Sequence, residues 1–264
     1  MPTHVTLYFT ANPNTAGTTA VAIPSGPFAT PTSTSSPDIK VLNFALALET
    51  LEAQLYKDAL ARLTTGGKDS LGQHITGLGY SGTPDVTYLT KFGIVENEHQ
   101  AFLTTALGGN WVTTAGALFD FGFADTNQFG TPPLTRLQTI QLVYAAEQTG
   151  VSAYLGGAGP GGLTPGGTNL TYAASILGTE ARHTAAVAIL LNQLTPLSGA
   201  AAIKTAPLAT DPGTPPGSHG IDIPLLPDAI LYGGGMVAPD TTVSGTGTIN
   251  PISGPKGFVF VATP

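Results

Sequence analysis

The 264-residue sequence contains no cysteine. This absence excludes both a disulfide framework and a thiolate metal site. Charged residues are also scarce, at 9% of the chain, whereas an average soluble protein has about a quarter. The nine lysines and arginines are scattered along the chain. No basic cluster is therefore present to neutralise phosphates, which argues against a nucleic-acid partner.

Long apolar runs are missing as well. No stretch of about 18 or more apolar residues predicts a membrane span. The first residues lack a positively charged region and alternate in polarity, which is not the pattern of a signal peptide. A surface with so few charges is poorly protected against self-association. We therefore expect an extracellular or cell-surface protein, either with an ordinary surface or with one buried in an assembly of copies.

Proline and glycine divide the chain into three parts. We predict an N-terminal extension over residues 1–36, a helical domain over 37–195 and a C-terminal extension over 196–264. Apolar and polar residues alternate from Val5 to Phe9, which predicts a strand. The final stretch GFVFVATP predicts a second strand.

Four helices are predicted between these extensions from their start and stop signals. Serine or threonine followed by proline favours a helix start, and glycine favours a helix end. The expected helices run from Ser36-Pro37 to Gly66-Gly67, from Thr83-Pro84 to Gly108-Gly109, from about Thr131-Pro132 to Gly156-Gly157, and from about Thr168 to Leu194. Helices of about 22 to 27 residues span roughly 33 to 40 Å. This length is typical of a bundle, and the wide connection over 107–132 predicts a crossover.

All six glutamates of the chain fall within these four helices. One glutamate lies near the midpoint of each helix, so antiparallel packing would bring four of them to the same level. Two histidines follow such a glutamate by three residues, in the motifs Glu-Asn-Glu-His and Glu-Ala-Arg-His. Three residues are nearly one helical turn, so each pair projects from one face. The residues that this pattern predicts as metal ligands are Glu49, Glu96, His99, Glu147, Glu180 and His183.

The order Glu, Glu-x-x-His, Glu, Glu-x-x-His resembles the ligand pattern of ferritin-like di-iron and di-manganese carboxylate proteins. The segments VLNFALALETLEAQLY, VENEHQAFL and ILGTEARHTAAV are especially similar to the ferritin-like family that includes desiccation-related proteins. The resemblance covers residues 37–194 and implies a mainly α fold, a ferritin-like antiparallel four-helix bundle with β or irregular extensions at both ends. It also implies that Glu49 and Glu147 are single ligands. Glu96 with His99, and Glu180 with His183, would be paired ligands of two iron or two manganese ions.

Two tyrosines follow the single-ligand glutamates by seven residues, Tyr56 after Glu49 and Tyr154 after Glu147. They are candidate catalytic residues that either hydrogen-bond the ligand carboxylates or pack in the core. Glu52 lies one turn after Glu49, which makes it either an acid behind the ligands, the favoured interpretation, or an extra ligand.

The remaining glutamate and histidines have no spacing that suggests a site. Glu98 points away from the face of the paired ligands and is expected to be solvated. His4, His74 and His219 fall in predicted loops or strands and are expected to be inert.

Two functional hypotheses follow. In the first, the protein binds a redox-active pair of metal ions and oxidises ferrous iron or reacts with oxygen or peroxide. Oxygen or peroxide would be its small-molecule substrate, and its role would be protection against stress. In the second, the bundle is a structural building block, and the terminal strands pair between subunits because unpaired strands favour β-addition. The six ligands could then be a relic that binds no metal.

Overall fold

The computed structural model of the protein describes residues 5–8, 37–108, 117–127, 132–159, 162–194, 222 and 259–262. The helical domain is therefore described almost completely, whereas most of each predicted extension lies outside these ranges. Ser36, His4 and His219 also lie outside the described residues.

Four long helices form the fold, which confirms the predicted mainly α class. They are α1 (Pro37–Leu63), α2 (Pro84–Leu107), α3 (Arg136–Gly157) and α4 (Thr168–Leu194). Among the residues that the structure describes, no helix is both long and apolar enough to cross a membrane.

Two helix boundaries differ from the prediction. Helix α3 begins at Arg136 and not near Thr131, because Thr135 and Gln138 form a capping box. In this box the Thr135 side chain accepts from the Gln138 backbone, and the Gln138 side chain accepts from the Thr135 backbone, which satisfies two free amide groups of the first turn. Helix α1 ends at Leu63, before the glycines that were expected to stop it.

The helices form a four-cornered bundle in which α1 packs against α2 and α3, and α4 packs against the same two helices. The two helices of each packed pair run in opposite directions. Phe92 of α2, for example, stacks on His183 of α4, and Phe102, further along α2, meets Tyr172 near the start of α4. Helices α2 and α3 are both antiparallel to α1, so they run in the same direction at opposite corners. The chain must therefore return along the bundle between them, which explains the long connection.

Short strands complete the described structure. Strands β1 (Val5–Tyr8), β5 (Val259–Ala262) and β4 (Ala117–Asp120) form an antiparallel sheet in the order β1-β5-β4. The two predicted terminal strands are thus present, but they pair with each other within one chain. Strands β2 (Gly66–Lys68) and β3 (His74–Thr76) form a hairpin after α1, which the sequence analysis did not predict.

The apolar core consists of two clusters along the bundle axis. One cluster contains Leu42, Leu46 and Leu103 from the early part of α1 and the late part of α2. The other contains Leu55, Leu63 and the hairpin residue Ile75, among others. Glu49 lies in α1 between Leu46 and Leu55, so the polar level of the bundle is enclosed by apolar side chains at both ends.

A buried ion pair joins the starts of α2 and α3. The guanidinium of Arg136 donates two hydrogen bonds of 2.8 Å to the Asp85 carboxylate, which is 1% exposed. Arg136 also lies over the Tyr80 ring, 4.2 Å from its centroid. Burial disfavours the charged form of Asp85, but its hydrogen bonds with Arg136 and Thr83 lower its pKa below the ordinary value.

Replacing Arg136 with leucine should leave this buried carboxylate unpaired. We expect Arg136→Leu to lower the free energy of unfolding by about 2 kcal/mol, less than for a fully buried pair because Arg136 is partly exposed. Urea unfolding measures this loss. Arg182→Leu, at an exposed position of α4, is the matched control and should change stability little. An equal effect of both substitutions would contradict the assignment.

A second buried acid connects α1 to the hairpin. Asp58 is fully buried and accepts a 2.6 Å hydrogen bond from Gln54 and another from the backbone of Ser70. Burial, which outweighs these hydrogen bonds and the charge of Lys57, raises the pKa of Asp58 to about 7.

This raised pKa predicts the sign of a pH effect. Unfolding releases the carboxyl from burial and favours its ionisation, so Asp58 lowers stability as pH rises from about 4 to about 7. Asp58→Asn should remove this contribution to the pH dependence of stability. The free energy of unfolding of the variant minus that of the natural protein should therefore increase by about 3 kcal/mol as pH rises from about 4 to about 7. Chemical unfolding at a series of pH values tests this, with the exposed Glu98→Gln as control. An unchanged pH dependence of stability in Asp58→Asn would refute the expectation.

Candidate metal centre

The four helices bring one glutamate each to the same level of the bundle. Glu49, Glu96, Glu147 and Glu180 lie within about one residue of the midpoints of their helices, and all four are fully buried. Antiparallel packing superimposes the midpoints of neighbouring helices, so the sequence positions alone account for this common level. Because carboxylates are costly to bury without partners, their convergence requires compensating groups nearby.

His99 contacts three of these carboxylates through one ring nitrogen. Its Nδ1 atom lies 2.9 Å from Glu96 Oε2, 3.2 Å from Glu49 Oε2 and 3.3 Å from Glu180 Oε1. Burial alone would lower the pKa of His99, but the three carboxylates overcome this effect and raise it to about 12. The three carboxylates thus favour positive charge at the point where one nitrogen and three oxygens converge.

His183 has the corresponding position on the other side of the centre. Its Nδ1 atom lies 2.7 Å from Glu96 Oε1 and 3.4 Å from Glu147 Oε1. The imidazole stacks on Phe92, with 4.0 Å between the ring centroids, so a residue of α2 orients a ligand of α4. The sequence analysis did not identify Phe92 in this role.

The ligand atoms form two groups that could each hold a metal ion. One group comprises Glu49, Glu96, His99 and Glu180, and the other comprises Glu96, Glu147, Glu180 and His183. Within each group the ligand atoms lie within 4.8 Å of one another. Glu96 and Glu180 belong to both groups, so each could contribute to holding either of two ions. All six predicted ligands are thus brought together.

The buried polar atoms of the centre fit a cation. Glu147 Oε2 and Glu180 Oε2 have no hydrogen-bond partner within the described part of the chain. Buried polar atoms without partners are rare in proteins. Carboxylate oxygens and imidazole nitrogens are suitable ligands for iron and manganese, so the residues present fit a pair of such ions.

Electrostatic repulsion within the metal-free centre points the same way. Burial, followed by the charge of Glu180, raises the pKa of Glu49 to about 8. Burial and the neighbouring glutamates also raise the pKa values of Glu147 and Glu180 well above the ordinary value. Glu96 differs, because His183 and His99 overcome the effect of burial and lower its pKa. Hydrogen bonds with the two histidines thus stabilise the ionised form of Glu96, and a cation at this level would do the same for the other carboxylates.

The two tyrosines bind the ligand carboxylates across the bundle. Tyr56 of α1 donates to Glu147 Oε1 of α3, and Tyr154 of α3 donates to Glu49 Oε1 of α1. Burial and the nearby carboxylates raise the pKa values of both hydroxyls, so both remain proton donors. The sequence left open whether these tyrosines hydrogen-bond the ligand carboxylates or only pack in the core, and the structure contains the hydrogen bonds. A catalytic role for them stays a prediction.

Other candidate residues occupy three different environments. Glu52 is 2% exposed beside the ligands, although it belongs to neither four-ligand group. Glu98 is exposed, as predicted. His74 lies in β3 at the surface, where its Nδ1 atom is 2.7 Å from Asp125 Oδ2, so it has a partner despite lacking an informative spacing.

Gly150 of α3 provides space for a ligand, a role that the sequence analysis missed. A Cβ atom at this position would lie 2.6 Å from Glu180 Oε2. Glycine in the middle of a helix costs about 1 kcal/mol relative to alanine, and Gly150 lies one turn after Glu147. That combination is the signal that could have identified it.

Gly150→Ala should therefore weaken metal binding while leaving the helix intact. The added methyl group displaces the Glu180 carboxylate, which belongs to both ligand groups, and we expect at least about a tenfold loss of metal affinity. Competition with a chelator measures the affinity. Gly178→Ala in α4 is the matched control, since its Cβ would meet Arg182 at an ordinary 3.8 Å. Equal metal affinity in both variants would contradict this role.

Comparison with known proteins agrees with the geometry of the centre. The model of the family described as "Ferritin-like domain" matches residues 37–193, which contain all four helices apart from the last residue of α4. No curated protein and no solved structure matches the chain significantly. The family match covers more than half of the chain and includes all six clustered candidate ligands. The chain belongs to the ferritin-like domain family.

Proposed function

We propose that this protein holds two iron or two manganese ions in the bundle core and uses them in redox chemistry. The reaction would be the oxidation of ferrous iron or the reduction of oxygen or peroxide, as a protection against stress. The observation that carries the proposal is the pair of overlapping four-ligand groups that share Glu96 and Glu180.

The charge of the ligand set supports a pair of divalent ions. Four ionised glutamates carry four negative charges, which two divalent ions neutralise, and the two histidines then bind as neutral imidazoles. A metal ion requires the neutral imidazole of His99, whose pKa the carboxylates raise, so metal binding there would release a proton. When bound, iron or manganese supplies the electrons that oxygen or peroxide would take up.

Residues of the chain would control the surroundings of the ions. The apolar clusters at both ends of the polar level limit the access of water. Tyr56 and Tyr154 orient Glu147 and Glu49 and keep a proton on each hydroxyl. Each tyrosine could therefore donate a hydrogen bond to a product that forms beside a carboxylate, which is the basis for proposing them as catalytic residues.

The setting of the protein is a separate proposal. The scarcity of charge on the chain supports an extracellular or cell-surface location and association with further copies.

Metal analysis tests the proposed function directly. We expect about two iron or manganese ions per chain after reconstitution with ferrous iron or manganese(II), and consumption of oxygen or peroxide by the loaded protein. Glu147→Gln removes one ligand and its charge, so it should lower the metal content to one ion per chain or less. The control Glu98→Gln makes the same change at an exposed position and should retain both ions. Failure of the natural protein to bind either metal would refute the proposal.

A further inference from the structure

Glu52 is a buried acid beside the metal centre that belongs to neither ligand group. It lies in α1 one turn after Glu49 and is 2% exposed. Its Oε2 atom has no hydrogen-bond partner among the residues described. A leucine could occupy such a place without the cost of burying a carboxyl group, so this glutamate requires a partner.

Negative charges surround this carboxyl group. Besides burial, the influences that raise the pKa of Glu52 are the charges of Glu180, Glu49, Glu147 and Glu96, in decreasing order. All four of these residues are ligands in one or both four-ligand groups. The carboxyl group of Glu52 therefore lies among the candidate ligands, where a cation at their level would offset its charge.

The position of Glu52 on its helix supports the same conclusion. Residues three apart on a helix project from nearly the same face, and Glu49 is already a ligand of one group. Glu49 is held by Tyr154, whereas no hydrogen bond restrains Glu52 Oε2 within the described ranges. On this face, Glu52 Oε2 therefore remains available to an ion.

We propose that Glu52 is a fifth carboxylate ligand of the metal pair and stabilises its higher oxidation state. This inference rests on the proposed function. Four carboxylates already neutralise two divalent ions, so a fifth leaves an excess of negative charge on the divalent pair. Two trivalent ions carry six positive charges, and for them the fifth carboxylate offsets charge that would otherwise remain uncompensated.

The test substitutes Glu52 with glutamine, which has the same shape without the charge. We expect Glu52→Gln to bind two ions, because the six principal ligands remain, but to lose the oxidised ions at least about tenfold faster to a chelator. Its reduction potential should be more positive than that of the natural protein, since the oxidised pair loses a stabilising charge. Iron supplied as a ferrous salt and then oxidised is the probe for both measurements.

Two further variants separate a ligand from a general electrostatic or folding effect. Glu98→Gln removes the same charge at the surface and should leave the rate of metal loss and the potential unchanged. Glu52→Asp keeps the charge in a shorter side chain and should restore part of the potential. Circular dichroism of each metal-free variant checks that the helices form.

The outcomes distinguish this inference from the proposed function. If natural protein binds two ions and Glu52→Gln has the same potential and the same rate of metal loss, Glu52 is not a ligand and the inference alone is overturned. If the natural protein binds no ions, both are overturned. A crystal structure of the loaded protein with a Glu52 oxygen at about 2.0–2.2 Å from an ion would establish the ligand directly.

Discussion

Mutual repulsion of carboxylates at one level of the bundle is the constraint on which the rest of this structure depends. Glu49, Glu96, Glu147 and Glu180 are fully buried, and a fifth acid, Glu52, lies beside them. Water cannot screen their charges there, so each must be paired, protonated or bound to a cation. The high pKa of His99 and the raised pKa values of most of the glutamates are consequences of this arrangement in the metal-free protein.

The bundle meets this constraint with two helix pairs of similar design. In each pair, one helix supplies a glutamate and a tyrosine seven residues after it, and the other supplies a glutamate and a histidine one turn apart. The tyrosines cross between the pairs, so Tyr56 and Tyr154 each orient the glutamate of the other pair. Apolar clusters lie on both sides of the polar level, and such low-polarity surroundings strengthen electrostatic interactions.

Several features of the fold could be predicted because they depend on local sequence. The four helices, the level of their glutamates and the exposure of Glu98 follow from helical periodicity and from the position of glycine and proline. The start of α3 could not be placed from proline alone, because the Thr135–Gln138 capping box decided it. The hairpin β2–β3 has too few residues and too little alternation to produce a recognisable strand pattern.

The sequence by itself determined which residue types form the centre, which helix carries each one and at what height it lies, since all three depend only on residue order and the helical repeat. The tertiary structure alone decided which residues are shared and which are paired. Tyr56 lies seven residues from Glu49, or about 10 Å along the helix axis, too far to bond it. Its partner had to come from another helix. Whether that partner was Glu147, and whether Glu180 would find room beside Gly150, depended on the packing of α3 against its neighbours, and residue spacing does not encode that packing.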